Sequence, residues 1–152
     1  MGGTHRHRHR FFIRHGLSIV TAGFLLSWIC LYSVADPETR WGSFFGNAIA
    51  DWSGVVVMVF ATKHLYEKGS GESRRLPKDR VQNPVLELLR EHSLSVFLLV
   101  TGMGWLWVYL RMDSESKWGE VVGNILSEWT QIFMLVILTK RLIEWHSKEG
   151  SR

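Results

Sequence analysis

Four stretches of this chain are apolar on every side of a helix instead of along a single stripe, so a soluble bundle with one buried face per helix does not fit them. Gly16 to Ala35 runs for 20 residues without a formal charge, long enough to cross a hydrocarbon core about 30 Å thick. His92 to Leu110 adds 19 residues when the histidine is neutral; Trp41 to Thr62 holds one acid in 22, and Val121 to Thr139 one in 19. The pattern predicts an all-α transmembrane protein with spans over about 16–35, 41–65, 92–110 and 119–143. The basic start and the run ending in YSVA at Ala35 imitate a secretory signal peptide. That run is longer than a usual signal core, and Leu94 to Tyr109 repeats its polar and aromatic positions deep in the chain. Retention as a span is therefore expected.

The two halves repeat. Shifted by 77 positions, His15, Ser18, Trp28, Tyr32, Asp36, Trp41, Gly42, Gly46, Asn47, Lys63 and Glu67 meet identical residues, and Asp51 meets Glu128. Most of these are not Leu, Ile or Val, so apolar composition does not account for the register. Each repeat contains two spans, which sends the second into the membrane from the same side as the first. The expected fold is a four-helix bundle of two parallel helical hairpins, related by a pseudo-twofold axis along the membrane normal. Its parts are 1–72, a linker over 73–91, and 92–152.

Charge assigns the sides. The N-terminal segment, the stretch from Lys63 to Glu91 and the end from Lys140 hold 15 of the 18 Lys and Arg residues. By the positive-inside rule both termini and the linker are cytoplasmic. The net charge of +4 then reports topology and contact with anionic lipid head groups, and no nucleic acid partner is expected. The linker, rich in Gly, Ser and charge, reads as a flexible connection. HRHRHR reads as a disordered, lipid-touching tail, with weak metal binding by His5, His7 and His9 as the other reading; no cofactor or complete metal site is expected. Cys30, the single cysteine, reads as a packed thiol.

Within the second span of each repeat, three faces separate at 100° per residue. Trp41, Phe45, Trp52 and Val59, with Trp118, Val122, Trp129 and Val136, form an expected lipid or outer-partner face, on which Trp41 and Trp118 are interfacial anchors. Gly42 with Gly46, and Gly119 with Gly123, form small-xxx-small pairs suited to helix packing. The third face is polar and carries Asn47 and Asp51, and Asn124 and Glu128, near mid-membrane. An acid there is costly unless protonated, paired or wet. No Lys or Arg stands at that depth, so Asn47, Asn124 and the indoles of Trp28 and Trp105 are the expected partners.

Two functions follow from that cluster. It either holds this protein against itself or a larger membrane complex, as a structural or accessory component, or it passes protons or cations along Asp51 and Glu128. No phosphate loop, zinc-ligand spacing or nucleophile motif points to an enzyme, and a lipid-modifying activity would have to use the same two acids. The segments HGLSIV, NAIADW and EKGSGESR, with HSLSVF and NILSEW in the second half, resemble a family of small, uncharacterised bacterial four-span integral membrane proteins with an internal two-helix repeat. The resemblance covers nearly the whole chain and implies the four-span fold and a place in the bacterial inner membrane. It implies no activity, cofactor or catalytic residue. In that family further acids often follow the repeated tryptophan, whereas Trp52 is followed here by SGV and Trp129 by TQI.

Overall fold

The computed structural model describes residues 3–77, 82–140 and 142, with side chains from His15 onward. The regular structure among the described residues is all helical: α1 Gly3–Val34, α2 Arg40–His64, α3 Pro84–Glu91, α4 Ser93–Arg111 and α5 Lys117–Leu138. Among the described residues four helices are long and apolar enough to cross a membrane, over His15–Val34, Arg40–His64, Ser93–Arg111 and Lys117–Leu138. Their outer surfaces fit that setting, since Leu26, Val100, Trp107 and Leu110 are all exposed where a water-soluble domain would cover a run of such size.

Two expectations change. HRHRHR belongs to α1, which starts at Gly3, and is not a disordered tail. No proline interrupts residues 3–16, arginine is a good helix former, and extending an existing helix is far cheaper than starting one. The connection after α2 is also not uniformly flexible. Glu67, Ser70 and Ser73 are buried, and Pro84–Glu91 is a helix opened by Asn83, whose side chain accepts from the amides of Val85 and Leu86. Proline at the first helical position suits that start.

The short turns between paired helices are built alike. In the first, the Asp36 carboxylate accepts from the Glu38 amide, the Thr39 hydroxyl donates to the Asp36 carbonyl, and the Gly42 amide donates to the Thr39 hydroxyl. In the second, Asp113, Glu115, Ser116 and Gly119 make the same three bonds. Thr39 and Ser116 thereby cap α2 and α5. The turn folds back so tightly that a Cβ on Gly42 would stand 2.0 Å from the Asp36 carbonyl oxygen, and one on Gly119 1.9 Å from that of Asp113.

From each turn the helices run back against one another. Along α1 and α2, Tyr32 packs on Gly46, Trp28 on Phe44 and Phe45, and Phe24 on Trp52, with His15 and Lys63 2.8 Å apart at the far end. Along α4 and α5, Tyr109 packs on Gly123 and Trp105 on Trp129, and Leu94 and Leu98 bury Val136. The glycine pairs thus serve their own hairpins, the first member clearing the turn and the second seating a tyrosine. Helices α2 and α5 meet in the middle, where Ile49, Ala50, Val121 and Ile125 form one core with Tyr32 and Trp129.

The expected lipid face of α5 is largely internal, because α4 lies over it. Val122, Trp129 and Val136 are buried; the Trp129 indole donates to the Thr101 hydroxyl at 2.8 Å, and its ring fills the space left by Gly102. Trp41 and Trp118 remain exposed.

Candidate functional site: the polar face of α2 and α5

Asp51 is the twelfth residue of α2 and Glu128 the twelfth of α5, each roughly 17 Å from its helix start at 1.5 Å per residue. One turn nearer the start, the Asn124 amide donates to the Asn47 side-chain oxygen at 2.9 Å, so equivalent residues of the two halves touch. One turn beyond, Gly54 packs on Ile132, and its missing side chain leaves room for the Glu128 carboxylate 3.7 Å from where a Cβ would be. Glu128 accepts from Gln131 at 3.3 Å.

Asp51 lacks such cover. It is exposed, and no described residue hydrogen-bonds to it. On α5, Ser127, Thr130 and Gln131 are exposed as well. Along α5 a groove of about 470 Å³, bordered by Tyr109, Ser114, Glu120, Asn124, Ser127 and Thr130, runs from the turn end toward mid-helix. The indoles expected to serve the acids lie elsewhere. Trp28 packs among Phe44 and Phe45, its N–H without a partner among the described residues, and Trp105 stacks edge-on against Trp129. The predicted cluster therefore splits: Asn47, Asn124 and Glu128 gather at the α2–α5 seam, Asp51 stands beside it, and both tryptophans face the packed side.

At the opposite end of the helices is a polar site that the sequence reading missed. The fully buried Glu67 carboxylate receives the His92 imidazole at 2.6 Å, the Lys140 ammonium and the Ser95 backbone amide at 3.0 Å. It joins the loop after α2 to the first turn of α4, where a carboxylate also meets the favourable end of the helix dipole, and to the end of α5. Burial alone would raise the Glu67 pKa, but the hydrogen bonds from His92, Lys140 and Ser95 hold it below its ordinary value. Around it, the Ser73 hydroxyl accepts from the Glu67 amide, Ser70 bonds Thr139 at 2.9 Å, and the Leu94 amide donates to the Tyr66 carbonyl. The signal was present in the repeat: His15, Lys63 and Glu67 all recur 77 residues later, an acid and two bases duplicated together. The recurring acid, Glu144, lies outside the described residues, as do the side chains of His5, His7 and His9. Among the described residues no group of three His, Cys, Asp or Glu side chains could hold a metal ion, and Cys30 is exposed instead of packed.

No protein-family model, curated protein or solved structure matches the chain.

Proposed function

We propose that this protein is a non-enzymatic structural or accessory component of a membrane, packing with itself or with a larger membrane complex through the polar face of α2 and α5. The observation that carries the reading is Asp51, an exposed mid-helix carboxylate without a hydrogen-bond partner among the described residues. Leaving an aspartate at the centre of a bilayer costs about 3 kcal/mol. Covering it with polar groups of another protein surface removes that cost.

The architecture in this reading is two parallel hairpins, each the product of one repeat. It is supported by the matching turns, by the Asn47–Asn124 bond across 77 residues, and by Gly54 meeting Ile132 further along both helices. In this reading the termini and the basic 65–91 segment are cytoplasmic, which the excess of Lys and Arg there supports, and the resemblance to small bacterial membrane proteins supports the inner membrane. There α3, directly before α4, turns the exposed Val85, Leu86, Leu88 and Leu89 toward the acyl boundary, while nearby basic residues meet anionic head groups.

The groove beside α5 favours a second reading. Its polar lining reaches from the turn end to Asn124, which is the start of a wet route to the acids and suits proton or cation passage. Flux into liposomes holding the purified protein decides between them. The assembly reading expects no flux above that of empty liposomes. A flux that falls sharply in the Asp51→Asn, Glu128→Gln double variant, with the fold intact, selects passage, because amides keep the shape and hydrogen bonding but carry no charge.

A further inference from the structure

We infer that the partner covering the polar face is a second copy of this chain, placed so that Asp51 of each copy meets Ser127 and Gln131 on α5 of the other. This rests on the assembly reading above and names its partner. The face divides into two chemically opposite halves. On α2 it offers Asp51, an acceptor with no donor among the described residues. On α5 it offers Ser127, whose hydroxyl is exposed and makes no hydrogen bond among them, and Gln131, which uses one amide proton on Glu128 and keeps another to donate.

A patch with a lone acceptor on one side and spare donors on the other is what an isologous twofold contact needs, since each half must fit the other half of an identical surface. The membrane restricts the geometry further. Two copies inserted in the same direction are related only by an axis along the membrane normal, so groups meet at equal depth. Asp51 and Ser127 satisfy this, as the twelfth residue of α2 and the eleventh of α5. The twofold brings both contacts together at once. It also leaves the Asn47–Asn124 bond at the seam of each copy intact.

The test uses two differently tagged full-length chains, both with Cys30→Ser, one carrying Val55→Cys and the other Met134→Cys. These exposed positions border the face on α2 and α5 at similar depth, so every polar group stays in place. Mild oxidation in native membranes should join the two tags in one disulfide-linked dimer. Chains carrying Val100→Cys on the outer surface of α4 should stay apart. Asp51→Ala in both chains should weaken the association about tenfold, two membrane hydrogen-bonded contacts being lost together. No dimer above the Val100→Cys background, or a dimer indifferent to Asp51→Ala, overturns the inference. The mass of the wild-type particle extracted from the same membranes separates the two levels. One copy within a larger assembly refutes the second copy and leaves the assembly reading standing, whereas a lone chain of 17.6 kDa with lipid refutes both.

Discussion

Gly119 has a neighbour that no other residue could tolerate in the same backbone: the Asp113 carbonyl oxygen, 1.9 Å from any added Cβ. Backbone atoms cannot rotate aside as a long side chain does, so Gly119→Ala must open the α4–α5 turn. It is expected to cost about 1–3 kcal/mol, the range for overpacking. Gly104, on the same hairpin, has nothing within 4 Å of an added Cβ, and Gly104→Ala should be neutral or stabilising by up to about 1 kcal/mol through helix propensity. Thermal unfolding of the two variants in one detergent checks the contrast. The sequence made both glycines of each pair visible as a duplicated spacing of four, which on a helix reads as a packing seam. It did not separate their tasks, because a turn that folds over the first glycine leaves no periodic trace. The duplicated Asp, Thr or Ser, and Gly of DPETRWG and DSESKWG were the available clue.

At the scale of elements, the four long helices were legible because continuous apolarity is a strong signal and spans need little else. The loop after α2 was not, since its burial comes from one acid finding partners on α4 and α5, a long-range event that local polarity hides. The Glu67 site makes that loop a pH-sensitive element. Its folded pKa lies below the ordinary 4.5, so as pH falls the unlocked loop takes up the proton first. The stabilisation is therefore complete well above pH 4.5 and is lost as acidification proceeds through the folded value. Hydrogen-exchange protection at Glu67, Leu94 and Ser95 should be high at neutral pH and lower in acid below pH 4.5. In Glu67→Gln protection should already be low at neutral pH and vary little over the same range. Equal protection of the wild-type loop at both pH values would show that the carboxylate does not hold it. The α5 face was misjudged for a related reason: one helix wheel assigns positions to faces but not faces to neighbours, and α4 covers the side that Trp129 and Val136 occupy.

For the whole molecule, the 77-residue spacing pairs position with position, and Asp51 and Glu128 each stand twelfth in their helices. How the halves turn toward one another was beyond it, since the register is the same whether Asp51 and Glu128 face inward, sideways or apart. The structure puts Glu128 over Gly54 and Asp51 beside the seam, and that difference carries the functional account. The central claim is that protein, not lipid, covers the α2–α5 face. A photo-activated crosslinking side chain at Val55, compared with one at Val100, tests it directly in native membranes. The account predicts protein adducts from Val55 and lipid adducts from Val100; lipid adducts alone from both positions would contradict it.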